Sequence, residues 1–509
     1  MPRGRGGPPA SAEARSSIPR VPDPVSPAAP SSPAVDPRRS RILAVLLSSL
    51  FMSLVAVSII NVALPAIQSD LDATSTDLQW VLSGYALSFG VVLVAAGRAG
   101  DLFGRERIFV AGMALFCLAS LAAALAPSAL VLNLARVVMG IGSGLINPQV
   151  SGLIQQHYRG RERAWAFGLF GGIVGMAVAI GPVIGGLLIG LLPSGIGWRA
   201  TIGVNVPLGA LILLLSLRWL DLRRSRSAED HRSHDLDPVG AVLLGLAVLT
   251  IMLPFMIAEQ EPAAWWLLPV GALLVAAWVG WERRYQARGR APMVDLRLFR
   301  TRSYTLGTLM IAVYFTGGTT IWVIQAQLVQ QGLGESALVA GLLALPGAIL
   351  SALAAQLGGR LVTRIGRWTV VTGLVVVLCG LGATILSTPQ IVSGAAPVWL
   401  LSVVMAPIGF GAGMVTSPNQ TLTLREVPVA EGGTAAAIMQ TGQRIGTAVG
   451  SAGVMGVYFL LLPRGADQAA DAAYLIIGTI VALALIVALV DAFSSPAGGR
   501  VGGRRAVED

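Results

Sequence analysis

Apolar residues occur along the chain in long runs, separated by short polar segments. From Ile42 onward there are fourteen such runs, each close to the ~20 residues that a membrane-spanning helix needs. They cover approximately 42–64, 78–96, 108–126, 131–154, 165–191, 202–220, 239–258, 264–281, 304–326, 338–357, 369–388, 396–422, 434–461 and 473–493. We therefore predict an all-α integral membrane protein with fourteen transmembrane helices.

Arginine is distributed unequally among the loops between these runs. The loop after the second run has Arg98, Arg105 and Arg107, whereas the loop after the first has three aspartates and no arginine. The alternation continues along the chain, and the positive-inside rule assigns the arginine-rich loops to the cytoplasm. Both termini are then cytoplasmic, and we expect a multi-pass protein of the plasma (inner) membrane.

One arginine-rich segment occurs twice. Residues 97–107 (GRAGDLFGRER) follow the second run, and residues 359–367 (GRLVTRIGR) follow the tenth. Five of the eleven residues of the first copy are charged, which predicts a short loop outside the hydrocarbon. Each copy lies between the second and third helix of a six-helix group. The repeat therefore predicts two related halves, with helices seven and eight as a central insert.

These patterns divide the chain into five predicted parts. Residues 1–41 are rich in Pro, Ser, Ala and Arg and are predicted to be a disordered cytoplasmic tail. The following run is too long for a signal peptide, so we interpret it as the first spanning helix. Residues 42–220 form the N-terminal half, 221–303 the central loop, two extra helices and a following loop, 304–493 the C-terminal half, and 494–509 a cytoplasmic tail.

Short motifs follow one another at fixed places on the predicted helices. They are Gly97, Asp101, Gly104, Arg105 and Arg107 in the first Gly-Arg segment, Arg136, Gly140 and Gly142 in helix four, Gly181, Pro182, Gly185 and Gly186 in helix five, Trp198 and Arg199 just before helix six with Asn205 inside it, and Asn61 with Pro65 closing helix one. In this order they resemble the major facilitator superfamily and, within it, the fourteen-helix drug:proton antiporters. The resemblance covers nearly the whole chain after the tail. It implies the major facilitator fold, alternating access, and export of drugs or antibiotics in exchange for protons.

The resemblance implies that the Gly-Arg segments gate the cytoplasmic side. Asp101 is placed to face the positive N-terminus of a helix of the other half or to pair with an arginine. The alternative is that the arginines only set topology. The second gating loop, with Gly359, Arg360, Gly366 and Arg367, has Thr363 in place of the aspartate. Its latch is predicted to be weaker.

Two arginines lie well inside apolar runs. A charge there costs roughly 3 kcal/mol on insertion scales and normally faces a cavity or a partner. The resemblance assigns Arg136 to proton coupling or substrate binding, and the alternative is snorkelling to the nearby interface. Arg444, beside Gln443, either binds an anionic or polar group of the substrate or fixes helix thirteen against its neighbours.

Helix five has a proline among glycines. Pro182 removes a backbone donor and bends the helix, and Gly181, Gly185 and Gly186 let a neighbour approach closely. Such a helix can seal the central path, as an exchanger requires, although plain helix packing explains the same residues. The resemblance favours the first interpretation and an export direction.

Composition supports the membrane assignment. The chain is 54% hydrophobic and 12% charged, roughly half the charged fraction of a soluble protein. The net charge of +10 comes from arginines in loops, so it indicates topology rather than binding to nucleic acid. We see no ATP motif, metal cluster or catalytic constellation, and we expect a monomer without cofactors or enzyme activity. Its predicted partners are a small-molecule substrate, protons and the lipid bilayer.

One position departs from the subfamily. Ala56 stands in helix one where the subfamily usually has an acid, and no Asp or Glu lies well inside any run. Because a proton carrier needs a titrating group, a proton-independent facilitator or importer of a small metabolite stays open. A non-transporting membrane sensor also stays open. With Arg136 and Arg444 inside, we expect neutral or anionic substrates rather than lipophilic cations.

Overall fold

The computed structural model describes residues 37–193, 195–222, 237–257 and 261–494. Most of both predicted tails and much of the loop after helix six lie outside this range. The described chain contains fourteen helices long and apolar enough to cross a membrane. They are α1 (Pro37–Ser58), α2 (Ser75–Phe103), α3 (Arg105–Ala124), α4 (Ala129–His157), α5 (Gly160–Leu191), α6 (Ile196–Trp219), α7 (Pro238–Ile257), α8 (Pro262–Ala287), α9 (Arg302–Gly332), α10 (Ala337–Ile365), α11 (Trp368–Val392), α12 (Leu400–Thr423), α13 (Gly432–Leu461) and α14 (Ala466–Ser494). The predicted all-α class and the number of helices are confirmed.

Several helices are longer than their apolar runs. α1 begins at Pro37, five residues before the predicted start at 42, and a further helix, Ile60–Leu71, continues the first span. α6 is interrupted at Val204, and α9 ends in a π-helical turn at Leu328–Gly332. Helical backbone satisfies its own hydrogen bonds, so a helix can extend past the hydrocarbon until a turn residue stops it.

The Gly-Arg segments were predicted to be loops, and this is wrong for most of their length. α2 continues to Phe103 and α3 begins at Arg105, with Gly104 at φ +102° between them. α10 likewise continues to Ile365, and Gly366 has φ +57°. Both glycines have a backbone conformation that side chains disfavour. Each segment is therefore two helix ends joined by a tight glycine turn. We call the membrane side that carries these two turns the arginine-loop side.

The helices form two six-helix groups, α1–α6 and α9–α14, that meet along two seams. One seam joins α2 to α13, and the other joins α5 to α10. The two helices of the insert pack on each other, and α7 covers the outside of the α2–α13 seam through Val248 and Met252.

Small residues allow close approach at both seams. A Cβ added to Gly97 of α2 would lie 2.7 Å from the carbonyl oxygen of Gly433 of α13. A Cβ on Gly168 of α5 would lie 3.1 Å from the carbonyl oxygen of Ala355 of α10. Both distances are shorter than ordinary carbon–oxygen contacts, so the backbones touch and larger side chains would separate the halves.

Candidate functional site

Asp101 joins the two halves at the arginine-loop side. Its carboxylate accepts hydrogen bonds from the backbone N–H groups of Gly433 (3.2 Å) and Thr434 (2.8 Å) and from the Thr434 hydroxyl (2.8 Å). These residues begin α13, where the first backbone N–H groups have no partner within the helix and carry its positive dipole end. A carboxylate of one half therefore caps a helix of the other.

Arg105 holds that carboxylate in place. Its guanidinium donates to Asp101 Oδ1 at 2.9 and 2.6 Å, and to the carbonyl oxygen of Gly152 in α4 at 2.7 Å. It also donates to the carbonyl oxygen of Val429 in the other half. Both side chains of the ion pair are buried. Asp101 thus has both kinds of partner considered from the sequence, a helix N-terminus and an arginine.

A second layer of polar contacts joins α4 to α12 and α13 of the other half. The Ser151 hydroxyl of α4 accepts from Gln420 of α12 (3.0 Å) and from Gln440 of α13 (3.3 Å). The Gln155 side chain of α4 donates to the carbonyl oxygen of Leu424 (3.3 Å). Together with Asp101 and its partners, these bonds close the arginine-loop side between the halves.

The two glycines of the first segment shape its backbone, and Arg107 lies outside the contact between the halves. Gly97 is the close contact to α13, and Gly104 makes the turn. Arg107 is exposed and donates to the carbonyl oxygen of Leu222 within its own half (3.1 Å). Arg107 therefore lies beside the contact between the halves and takes no part in it.

The second Gly-Arg segment is fastened to its own half. Arg367, which corresponds to Arg105, donates to Asn419 Oδ1 (2.6 Å) and to the carbonyl oxygen of Ser303 (2.9 Å), and it forms a buried ion pair with Asp491. The Thr363 hydroxyl donates back to the carbonyl oxygen of Arg360 (2.8 Å). No carboxylate of this segment reaches across to the other half.

Its glycine does reach the other half. A Cβ on Gly359 would lie 2.6 Å from the carbonyl oxygen of Ala164 in α5. Arg360 is exposed at the membrane surface. The second segment thus repeats the close backbone contact of the first without its charged capping bond.

Arg136 is buried, with 2% of its surface exposed. It donates to the carbonyl oxygens of Val81 (2.9 Å) and Ala56 (3.1 Å), and its guanidinium lies over the Tyr85 ring at 4.5 Å. No carboxylate of the described residues pairs with it. The backbone at Ala56 thus receives Arg136 at the position where the subfamily usually has an acid.

Arg444 lies on the other side of the same aromatic cluster. Its guanidinium stacks over the Phe89 ring at 4.4 Å, and the Phe89 ring meets the Tyr85 ring edge-on at 6.1 Å. Arg444 is half-buried and forms no hydrogen bond or ion pair with the residues that the structure describes. Gln443 is half-buried beside it.

The helix-five motif packs on the end of α1. A Cβ on Gly181 would overlap Ser58 Oγ, and one on Gly185 would lie 3.1 Å from the Ile59 carbonyl oxygen. Ser58 Oγ donates to the carbonyl oxygen of Ala177 in α5 (3.0 Å). No atom of the described residues lies within 4 Å of a Cβ on Gly186. Two of the three glycines therefore serve close contact with α1.

A polar cluster holds the opposite membrane side of the first half. The Asp70 carboxylate accepts from Trp198 Nε1 (3.0 Å) and from Arg199 (3.1 Å). Arg199 also donates to the carbonyl oxygen of Ala126 (2.7 Å) and lies over the Trp198 ring at 4.4 Å. The Trp-Arg motif of helix six thus pins α6 to the first span and to α3.

Comparison with protein families gives the fold its name. The model of the Major Facilitator Superfamily matches residues 46–451, which is most of the chain. The chain belongs to the Major Facilitator Superfamily. It is therefore a membrane transport protein and not an enzyme.

Curated members of the superfamily resemble the chain over most of its length. The probable actinorhodin transporter of Streptomyces coelicolor is 31% identical over 85% of this chain and 75% of its own length. The drug efflux pump JefA of Mycobacterium tuberculosis is 34% identical, over 81% and 77%. The puromycin resistance protein pur8 of Streptomyces alboniger is 31% identical, over 89% and 90%.

Solved structures share the fold at low sequence identity. The human organic anion transporter MFSD10 aligns with a TM-score of 0.63 and 16% identity, covering 89% of this chain and 100% of its own. The proton:xylose symporter XylE aligns with a TM-score of 0.62 and 15% identity, over 88% and 94%. These likenesses support the facilitator fold alone.

In this facilitator, the predicted site residues fall into three groups. Asp101 and Arg105 meet α13 at the arginine-loop side, Arg136 and Arg444 flank two aromatic rings in the middle of the bundle, and Gly181 contacts α1. Sequence reasoning missed the polar layer and both rings. The signal for the polar layer was present, because Ser151, Gln155, Gln420 and Gln440 are polar residues within apolar runs. Their positions in the sequence do not show which residues these side chains contact.

Proposed function

We propose that this facilitator exports antibiotics or similar small amphipathic metabolites across the plasma membrane by alternating access, in exchange for protons. The names of its relatives, which include a drug efflux pump and an antibiotic resistance protein, support export. In this proposal the arginine-loop side is cytoplasmic, as the positive-inside rule predicts.

The observation that carries the proposal is the bond between Asp101 and the N-terminus of α13. It exists only while the cytoplasmic ends of the halves are together, and it places a charge-assisted contact where a rocking carrier must open and close. Ser151 and its two glutamine partners add a second closed layer behind it. A molecule that has left the cytoplasm cannot return through this side while both layers hold.

A second candidate function is a proton-independent facilitator. Arg136 supports it, because its hydrogen bonds go to backbone carbonyl oxygens rather than to a carboxylate that would take up and release a proton. A backbone carbonyl does not titrate in the physiological range.

Everted membrane vesicles separate the two. We would measure accumulation of ethidium, chloramphenicol and fluorescein with and without an imposed proton gradient, for the wild type, Asp101→Asn and Glu106→Gln. Glu106 is the matched control, because its carboxylate lies next to the same turn and, among the described residues, accepts a hydrogen bond only from Gln156 of its own half (3.3 Å).

The proposal predicts gradient-driven accumulation of at least one compound by the wild type and by Glu106→Gln, and its loss in Asp101→Asn. Equal accumulation with and without the proton gradient would support the proton-independent facilitator and exclude proton antiport. A folded wild type that moves none of the compounds in either condition would favour the membrane sensor.

A further inference from the structure

Arg136, which is buried, Arg444, which is half-buried, and the two rings between them form one continuous row of contacts, the Arg–aromatic array, composed of Arg136, Tyr85, Phe89 and Arg444. Guanidinium-to-ring distances of 4.5 and 4.4 Å at its ends and a ring-to-ring distance of 6.1 Å in the middle lie within the usual range of such contacts. The array crosses from the first half to the second, since Arg444 alone belongs to α13.

The two ends of the array differ in whether the guanidinium group donates hydrogen bonds to the protein. Arg136 is enclosed, and its guanidinium is already hydrogen-bonded to the carbonyl oxygens of Val81 and Ala56. The Tyr85 hydroxyl is bonded to the Ser53 carbonyl oxygen (2.8 Å) and to the Ser143 hydroxyl (2.5 Å). The bonds from Nε and Nη1 of Arg136 and those of the Tyr85 hydroxyl hold this end of the array in position.

The Arg444 end is incomplete. One face of its guanidinium covers Phe89, while the N–H groups on its edge meet no acceptor among the described residues. Arg444 is the thirteenth residue of the 30-residue helix α13, so at 1.5 Å per residue it lies roughly 18 Å from the start of the helix, in its middle part. A cation at that depth is costly unless something supplies opposite charge.

The side chain is accessible enough for that charge to come from outside the protein. Arg444 is half-buried rather than enclosed. On α13 it is one turn beyond Gln440, whose side chain faces α4 of the other half through Ser151, so this helix face borders the space between the halves.

We infer that Arg444 is the specificity-determining contact for a flat aromatic anion, a carboxylate or phenolate on a conjugated ring system. The edge N–H groups bind the anionic oxygens in pairs, and the guanidinium face away from Phe89 stacks on the ring. This inference rests on the proposed export function and names its substrate class. Arg136 acts as a positioning residue, because its guanidinium lies over the Tyr85 ring and donates to the carbonyl oxygens of Val81 and Ala56.

Equilibrium binding tests the inference without requiring transport. Purified full-length protein in lipid nanodiscs is titrated with radiolabelled 2-naphthoate, cyclohexanecarboxylate, 2-naphthalenemethanol and the cation 2-naphthylmethylammonium. These probes separate the contributions of the charge and of the flat ring. The variants are Arg444→Gln, Arg444→Lys and Arg464→Gln. The last removes an exposed arginine at the far end of the same helix region.

For the wild type we expect 2-naphthoate to bind at least tenfold more tightly than each of the other three probes. Arg444→Gln should lose that preference, Arg444→Lys should keep a preference for anions but lose that for the flat ring, and Arg464→Gln should match the wild type. The wild-type comparison stands even if a variant fails to fold.

Tighter binding of the ammonium probe by the wild type, or an unchanged naphthoate preference in folded Arg444→Gln, would overturn the inference. If the protein still exports cations in that case, the inferred substrate class is wrong and the proposed export function stands. If 2-naphthoate binds with the expected preference but no compound is exported, the proposed export function is refuted and the role of Arg444 in anion binding stands.

Discussion

Replacing Asp101 by asparagine tests whether its carboxylate stabilises the closed arginine-loop side. Asparagine has nearly the same shape but no charge and one acceptor oxygen instead of two. The carboxylate now receives three hydrogen bonds from Gly433 and Thr434. Hydrogen bonds to a charged group contribute about 1.5–3 kcal/mol each and neutral ones about 0.5–1.5. Across the contact between the halves, the variant therefore loses the bond from Gly433 and weakens the two from Thr434. The bonds from Arg105 are weakened whether this side is closed or open, because Asp101 and Arg105 belong to the same half.

The favourable contact of the carboxylate with the N-terminus of α13 adds about 0.3–1 kcal/mol. We estimate a combined loss of about 3 kcal/mol, which corresponds to roughly a hundredfold change in the ratio of closed to open protein. A wild type that is closed about 99% of the time would then be closed about half of the time.

Hydrogen–deuterium exchange measures this change at the bonds themselves. The backbone N–H groups of Gly433 and Thr434 are protected by Asp101, and they exchange when the seam opens. In a peptide that spans residues 429–437, Asp101→Asn should speed exchange of these two amides by roughly fiftyfold, because the open fraction rises from about 1% to about 50%. Glu106→Gln should leave the peptide unchanged. Exchange within threefold of the wild type, in a folded Asp101→Asn protein, would refute the assignment of Asp101 as the latch.

Two further predictions concern packing and stability. Gly181→Ala should lower the thermal stability of the detergent-solubilised protein by an amount typical of overpacking, about 1–3 kcal/mol, because its Cβ overlaps Ser58 Oγ. Gly186→Ala should leave the melting temperature unchanged, and the double variant Gly181→Ala/Ser58→Gly should recover stability. Equal melting temperatures of Gly181→Ala and Gly186→Ala would contradict the close contact between Gly181 and Ser58. Arg367→Ala removes the arginine partner of the buried Asp491 carboxylate and should lower the free energy of unfolding by about 3–5 kcal/mol. If Arg367→Ala loses less stability than the Arg367→Ala/Asp491→Ala double variant, the ion pair does not stabilise the protein in this way.

The spans could be predicted from the sequence because lipid imposes one length on every helix. The capping role considered for Asp101 could also be predicted, since an acid at a helix end has few partners available. The stack of Arg444 on Phe89 could not, because it depends on the rotation of α13 about its own axis relative to a helix 355 positions earlier in the chain. The same holds for the close contact at Gly181, which depends on Ser58 of α1 lying opposite.

The extent of the Gly-Arg segments was misjudged for a different reason. Charge excluded them from hydrocarbon, but charge does not end a helix. The helix ends where glycine adopts a positive φ, at Gly104 and Gly366, and both glycines were part of the motif.

The two seams are unequal, and this has a consequence for how the carrier moves. The α2–α13 seam includes an ion-paired carboxylate on a helix end, so a single substitution can weaken it. At the α5–α10 seam, Gly168, Gly172 and Gly359 bring the two helices into close contact over about two turns of α5. We expect the α5–α10 seam to keep the halves together while the bonds of Asp101 and Ser151 break and re-form at the arginine-loop side.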